Sequence, residues 1–270
     1  LTHEGDALSM LRDMTGTPSV VGAGTGTGAA QTQSALLYVP LQFWFCRNPG
    51  LALPLIALQY HEVKINVQFK SSVSLTPTAA GASVVDTVSL TSIDNCCVFC
   101  DYIFLDTDER RRFAQVSHEY LIEQVQFSNG LNAGSGSSTA ALTTSSELRF
   151  NHPIKELLWT VTGATNGRLE VDDALLQLNG HDRFKKRAGS YFTKVQRYQH
   201  HTGAEDDAWP QATHVYSFAL KPEEHQPSGT CNFSRIDNAV LSVNFTPATA
   251  TSEQHTLQVY AVNYNVLRIM

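Results

Sequence analysis

The chain has 270 residues, of which 42% are hydrophobic and only 16% charged, and its formal net charge is −6. The apolar and aromatic content excludes an intrinsically disordered chain, and the net negative charge argues against a protein built to bind polyanions. The longest apolar run, residues 51–58, contains Pro54 and is far shorter than the roughly 20 residues of a membrane-spanning helix. We therefore predict one large or two medium domains without a membrane span.

Alternating apolar and polar residues predict β-strands along most of the chain. The alternation is clearest at residues 63–69, 157–162, 216–220 and 241–246. Further strands are predicted at residues 36–46, 84–90, 96–105, 120–128, 174–179, 191–197 and 255–269. Turn-forming pairs such as Asn179-Gly180 separate them, as expected where Gly and Asn supply the backbone conformations of tight turns.

One helix is predicted between the strand-rich regions, over residues 108–117. Asp106 and Glu109 have the spacing of a capping box, with Asp in place of Ser or Thr. A short helix between two strand-rich regions is typical of a hinge between domains. A helical turn is also predicted near the start, from the spacing of Leu8, Leu11 and Met14.

Three stretches rich in Gly, Ser, Thr or Ala, at residues 15–34, 71–83 and 128–146, are predicted to be long surface loops because their side chains are too small and polar to form a core. Short strands joined by long loops on both sides of a hinge predict two all-β sandwich or barrel domains.

The cysteines and the glycine run do not match a known chemical site. Residues 22–28 lack the spacing and the flanking strand and helix of a dinucleotide-binding loop. Cys97 and Cys100 have CxxC spacing, but no second pair of ligands accompanies them, which favours packing roles over a zinc site. An odd number of unevenly spaced cysteines favours a reducing compartment; they are Cys46, Cys96, Cys97, Cys100 and Cys231.

Titratable residues are grouped in several places, without a fixed catalytic or metal-binding geometry. The largest group is predicted to consist of polar loop residues: His200, His201, Glu205, Asp206, Asp207, His214 and His225. Adjacent carboxylates at 172–173 and 223–224 could in principle serve glycoside hydrolysis, but solvated loop residues are the simpler interpretation. The basic runs at 110–112 and 185–187 are too short for a nucleic-acid-binding stripe. We predict no catalytic residue, cofactor or metal site.

Two sequons mark candidate N-glycosylation sites at Asn232 and Asn244. Nearby, Arg235 and Asp237 are predicted to form a structural pair that connects a loop to a strand.

Several segments, in order along the chain, resemble the major capsid proteins of nucleocytoplasmic large DNA viruses, and most of all those of algal viruses. The longest is YVPLQFWFCRNPGLALPLIALQYHEVKI at 38–65, and a second is DYIFLDTDERRRFAQ at 101–115. The others lie at residues 118–127, 176–184, 189–196, 216–222, 226–238 and 264–270.

The resemblance implies an all-β double jelly-roll fold whose first jelly roll is incomplete. Residues 1–106 would be the C-terminal part of the first jelly roll, residues 107–119 a short helical linker, and residues 120–270 the second jelly roll. The opening strands of the first jelly roll and a few C-terminal residues would be absent from this sequence.

The resemblance also implies a structural protein rather than an enzyme. Three chains would form a homotrimeric, pseudo-hexagonal capsomer that tiles the icosahedral shell of a large double-stranded DNA virus. Its partners would be itself, neighbouring capsomers and minor capsid proteins, without direct contact to nucleic acid. It would be located in the virion capsid and assembled in the host cell cytoplasm.

Two alternatives stay open. One is a jelly-roll carbohydrate-binding module, which needs an aromatic platform at one loop end, for which Tyr198 and Trp209 are the loop-borne candidates. The other is a minor capsid or spike protein of the same lineage.

Overall fold

A computed structural model describes residues 36–69, 72–75, 86–89, 96–135, 142–163, 167–169, 171–202, 213–246 and 254–270, together with Met10 and Met14. The described residues belong to two compact units. The larger unit includes Gln124–Tyr264, and the smaller one contains the described parts of Leu41–Pro77, Gly81–Glu123 and Asn265–Met270.

The strands in these segments are β1 Ser72–Leu75, β2 Asp86–Ser89, β3 His118–Ser135, β4 Leu142–Glu147, β5 Pro153–Gly163, β6 Gly167–Leu169, β7 Asp173–Leu178, β8 His181–Asp182, β9 Arg187–Ala188, β10 His214–Ser217, β11 Cys231–Asn232, β12 Ala239–Phe245 and β13 Gln254–Ile269. The helices are α1 Trp44–Arg47, α2 Thr107–Gln115 and α3 Gln196–His200, with 3₁₀ turns at Pro49–Leu51 and Phe233–Arg235 and a π-helical turn at Tyr191–Val195. None of them has the length and apolar character that a membrane-spanning helix requires.

The larger unit contains two sheets. In one, the strand order is β10-β5-β13-β3, with β6 and β11 also paired to β5. In the other, the order is β4-β12-β7, and β8 and β9 both pair with β7. This order, in which β13 returns to lie between β3 and β5, is that of a jelly roll. The strand pairs with a defined register are antiparallel, which confirms the predicted all-β fold class.

The core lies between the two sheets and follows the predicted alternation. In β12, Leu241, Val243 and Phe245 are buried, and in β5 Leu157 and Trp159 are buried. Burying one such side chain contributes roughly 1.5–3 kcal/mol relative to leaving it in water, so the inward residues of β5 and β12 supply much of the stability of this unit.

A tight turn joins β7 to β8. Leu178 pairs with His181, so the loop consists of Asn179 and Gly180, whose φ angles are 52° and 78°. Two positive φ angles define the type I′ hairpin turn that Asn-Gly favours, and the predicted turn is confirmed.

A β-bulge interrupts the pairing of β5 with β13. Val262 lies opposite Glu156, whereas the next residue, Asn263, lies opposite Ile154. Lys155 is therefore the extra residue. Because of it, Ile154 and Leu157 can both point into the core although they are three residues apart, a spacing that would place them on opposite faces of a regular strand. The Lys155 carbonyl accepts hydrogen bonds from the backbone N–H groups of Phe218 and Ala219, at 2.9 and 3.2 Å.

The strand predicted at 191–197 is wrong, because this segment is helical. Phe192 and Gln196, four residues apart, are both buried, as on one face of a helix. The segment covers the edge of its sheet, since the Ser217 N–H in β10 donates to Gln196 Oε1 at 3.1 Å. An edge strand covered in this way is not open to further pairing.

The strands predicted at 36–46, 63–69 and 96–105 are also wrong. These residues lie outside strands, part of the first forms α1, and Val63 and Phe69 are half exposed. A strand needs a neighbour for its backbone hydrogen bonds, and the described part of the chain supplies none here. Conversely, β1, β3 and β4 extend into the predicted loops 71–83 and 128–146, while the loop at 15–34 lies outside the described residues.

Helix α2 confirms the helix predicted over residues 108–117 within about two residues. Asp106 caps it, with Oδ1 accepting from the Thr107 N–H at 2.7 Å. The predicted helical turn near the start involves Leu8 and Leu11, which lie outside the described residues. The division of the chain at 107–119 stays a prediction.

Candidate functional site

The predicted histidine group is not one site. His214 is fully buried and stacks on Trp159 with ring centroids 5.9 Å apart, and its Nε2 accepts from the Val171 N–H at 3.3 Å. His200 Nδ1 lies 2.9 Å from the Leu220 carbonyl. Among the residues that the structure describes, no group of three or more His, Cys, Asp or Glu side chains could hold a metal ion. The acidic residues at 205–207 lie outside the described residues.

His201 is the centre of a buried polar cluster. It lies in a loop just after α3, as predicted, but the prediction did not include the burial of its side chain. Its side chain is 2% exposed. Nδ1 lies 3.1 Å from Glu223 Oε1, and Nε2 lies 3.2 Å from Glu156 Oε2, an ion-pair distance without hydrogen-bond alignment. The cluster therefore connects β5, the end of α3 and the loop that contains Glu223.

Glu223 is held by further donors. The Thr202 N–H donates to both carboxylate oxygens at 3.2 Å, and the Thr202 hydroxyl donates to Oε2 at 2.6 Å. Burial by itself raises the pKa of the Glu223 carboxyl, but the hydrogen bonds from Thr202 and His201 outweigh it and lower this pKa below its usual value. A carboxylate saturated with donors in this way is suited to holding a loop and not to accepting a proton from a substrate.

Lys155 is a second buried polar anchor, which the sequence did not single out. It is 1% exposed, its Nζ donates to the Pro222 carbonyl at 2.6 Å, and the ammonium lies 5.4 Å from the centroid of the Tyr264 ring. In the sequence, Lys155 occupies the same alternating positions as the apolar residues Leu157 and Trp159. This pattern was the available signal, because a lysine at an inward-facing position is unusual. Lys155 and Glu223 thus attach neighbouring residues of one loop to the sandwich.

The other adjacent acidic pair, Asp172 and Asp173, is structural. Asp172 Oδ2 accepts from the Thr246 hydroxyl, and Asp173 Oδ1 accepts from Asn244 Nδ2, each at 2.6 Å. Asp173 also pairs with Lys186 at 3.0 Å. These bonds connect β7 to the end of β12, so the prediction of merely solvated side chains was wrong.

The two sequons differ in exposure. Asn232 is exposed, and its Oδ1 accepts from the Ser234 N–H at 3.0 Å. Asn244 is half-buried, and its Nδ2, the atom that a glycan would modify, donates to Asp173. Glycosylation at either residue stays a prediction, and this geometry favours Asn232.

The predicted pair of Arg235 and Asp237 is absent from the described ion pairs. Instead, Asn179 connects the two segments, since its Oδ1 accepts from the N–H groups of Asp237 and Asn238 at 3.0 and 3.2 Å. The turn residue that forms the β7–β8 hairpin therefore also holds the loop before β12.

The cysteines are free. Cys231 is half-buried, and burial raises the pKa of its thiol. Cys97 and Cys100 are exposed, which contradicts the packing roles predicted for them, and Cys46 and Cys96 are exposed as well.

Comparison with known sequences identifies the family. The profile described as "Large eukaryotic DNA virus major capsid protein" matches residues 109–170 and 164–270, and "Major capsid protein N-terminus" matches residues 5–106. The chain belongs to the family of major capsid proteins of large eukaryotic DNA viruses. The resemblance found in the sequence is thereby confirmed.

Named relatives of this capsid-family chain include three viral major capsid proteins. That of Pyramimonas orientalis virus is 50% identical over 264 residues, which are 89% of this chain and 61% of the relative. That of Phaeocystis pouchetii virus is 40% identical, over 87% of this chain and 63% of the relative. That of Paramecium bursaria Chlorella virus 1 is 43% identical, over 86% of this chain and 64% of the relative. The chain thus spans about three fifths of the length of these relatives.

Solved structures extend the similarity to the fold. PBCV-1 VP54, fitted into a reconstruction of the virophage Sputnik, matches with a TM-score of 0.69 at 35% identity, over 100% of this chain and 75% of that chain. A quasi-atomic model of the PBCV-1 virus capsid matches with a TM-score of 0.64, over the same shares of both chains. The predicted double jelly-roll class is confirmed. The relatives are structural capsid proteins, which agrees with the prediction that the chain is not an enzyme.

Proposed function

We propose that this capsid-family chain builds the icosahedral shell of a large double-stranded DNA virus, as a homotrimeric, pseudo-hexagonal capsomer. The observation that carries the proposal is the similarity to VP54 along the whole chain, in both sequence and fold. Neighbouring capsomers and minor capsid proteins would be its partners, without direct contact to nucleic acid. Assembly would take place in the host cell cytoplasm.

An exposed apolar strip on the larger unit supports self-association. Val125 and Phe127 of β3 are 64% and 46% exposed. The solvent-facing side of an antiparallel sheet usually presents polar residues at such positions. Phe127 stacks on Tyr260 of β13 with ring centroids 4.8 Å apart. Contiguous exposed apolar surface is typical of protein contact sites, and we call Val125, Phe127 and Tyr260 the apolar strip.

The smaller unit exposes still more apolar surface. Phe99 and Phe104 are 87% and 94% exposed, and Tyr60 is 93% exposed. The chain spans about three fifths of the length of its relatives, so the apolar strip of the larger unit carries the argument for self-association.

The carbohydrate-binding alternative has less support. Tyr198 is 91% exposed, but it lies in α3 and not in a loop, and Trp209 lies outside the described residues. A single exposed aromatic ring is not a platform for a sugar.

The test is the solution mass of the full-length gene product, measured by light scattering after size exclusion. We expect a mass three times that of one chain, unchanged on dilution. A folded monomer would contradict the proposal. Electron microscopy of the same sample would show whether the trimers have a pseudo-hexagonal outline.

A further inference from the structure

We propose that Arg183, Arg187 and Tyr216 form a site on the larger unit that binds a carboxylate side chain from a neighbouring copy of this chain. The inference rests on the proposed self-association and adds to it one specific contact. We call these three residues the arginine site.

The two arginines are placed by the edge of the five-stranded sheet. β8 and β9 both pair with β7, and Arg187 lies opposite Ala174. The Arg183 N–H donates to the Leu176 carbonyl at 2.8 Å. Between the arginines, the Phe184 ring packs 4.9 Å from the Tyr216 ring. Backbone pairing therefore fixes the backbones of both arginines on either side of Phe184, whose ring contacts Tyr216.

The positive charges of the arginine site are not neutralised within the described residues. Lys186 is paired with Asp173 at 3.0 Å, whereas neither Arg183 nor Arg187 has a carboxylate partner in the segments that the structure describes. The Arg187 guanidinium lies 4.3 Å from the centroid of the Tyr191 ring. Stacking of this kind orients a guanidinium and leaves its N–H groups available to an anion.

Tyr216 adds a hydroxyl to the two guanidiniums. The residue is only 8% exposed, yet its hydroxyl makes no hydrogen bond within the described part of the chain. Burial raises the pKa of this hydroxyl, while the positive charges of Arg183 and Arg187 act in the opposite direction. Two guanidiniums and one hydroxyl provide N–H and O–H donors for an oxyanion.

The charge distribution of the chain favours a second copy as the source of that oxyanion. Residues 181–201 contain six of the 19 basic residues and one of the 25 acidic residues, so the rest of the chain is strongly acidic. Copies of such a chain are complementary to one another, which favours specific association. A nucleic acid is a poor candidate because the whole chain has a net charge of −6.

The test uses the full-length gene product with Arg183→Gln and Arg187→Gln together. We expect the dissociation constant of the assembly, measured by sedimentation velocity over a dilution series, to rise at least about tenfold. Tyr216→Phe, which keeps the ring and removes the hydroxyl, should weaken the assembly by a smaller factor. Circular dichroism and thermal melting show that each variant is folded.

A matched control, Lys185→Gln with Lys194→Gln, removes two charges from the same segment and should leave the dissociation constant within about twofold of the wild type. An arginine variant that is folded and assembles like the wild type would overturn the arginine site alone. Equal weakening by the control would also overturn it, because net charge would then explain the effect. A wild-type protein that stays monomeric would contradict the proposed function itself.

Discussion

Nδ1 of His201 lies 3.1 Å from Oε1 of Glu223, and both side chains are largely buried although they are 22 residues apart. Because Glu156 of β5 lies on the other side of the imidazole, this contact fixes the loop around Glu223 to the sheet. Lys155 holds the adjacent Pro222 to the same strand. The loop is thus attached to β5 at two successive residues by polar contacts.

Replacing Glu223 by Gln should lower the free energy of unfolding by about 1–3 kcal/mol, because buried donors lose their anionic acceptor. Urea denaturation of the full-length gene product followed by fluorescence is a suitable measurement. Glu224→Gln is the matched control, since the ion pair of Glu224 within the described residues is with exposed Lys221, and its loss should cost less than about 1 kcal/mol. Equal losses in the two variants would show that the Glu223 cluster is not an anchor.

The same contact predicts a pH dependence. The pKa of Glu223 in the folded protein is lower than its usual value of 4.5. Ionised Glu223 therefore stabilises the fold fully above pH 4.5, and this stabilisation is lost as the pH falls through the folded pKa. The stability difference between wild type and Glu223→Gln should shrink as the pH falls below about 4.5. A stability difference between the two proteins that grows on acidification would contradict this prediction.

Lys155→Met should destabilise the protein by about 1–3 kcal/mol, because it leaves the Pro222 carbonyl, at a buried residue, without this donor. The Met side chain fills similar space, so the change tests the ammonium and not the volume. Lys221→Met, at an exposed position, is the control and should have little effect. Thermal and urea denaturation of both variants provide the comparison, and an unchanged Lys155→Met variant would contradict the prediction.

Gly189→Ala should destabilise the fold by at least about 3 kcal/mol or prevent soluble expression. A Cβ at this position would lie 1.7 Å from the Val171 carbonyl oxygen, and backbone cannot move aside as a flexible side chain can. Gly180→Ala is the matched control. It has open space but a φ of 78°, so it should cost only about 1 kcal/mol. Soluble yield and melting temperature distinguish the two, and similar values would contradict the prediction.

Phe127→Asp tests the apolar strip. A charge in a contact that excludes water is unfavourable, so the dissociation constant of the assembly should rise at least about tenfold. The fold should change little, because Phe127 is 46% exposed. Thr143→Asp introduces the same charge at an exposed position on β4, and it should assemble normally. If sedimentation velocity shows wild-type assembly of a folded Phe127→Asp, the strip is not a contact.

The sequence alone predicted those elements whose cause is local. The alternation in β5 and β12 placed Leu157, Trp159, Leu241 and Val243 correctly because one face of each strand is buried. Asn179-Gly180 and the Asp106 cap were also correct, since turn and cap chemistry depend on adjacent residues. The family resemblance extended these elements to a double jelly roll.

Only the tertiary structure decided which polar residues are buried and which apolar ones are exposed. His201 and Lys155 are buried because Glu156, Glu223 and Pro222 come from distant parts of the chain to meet them. Residues 63–69 alternate as a strand but do not form one, because pairing needs a neighbouring backbone. Alternation along a chain states which residues favour burial, whereas the partners that satisfy a polar group or a strand edge are assembled by the fold.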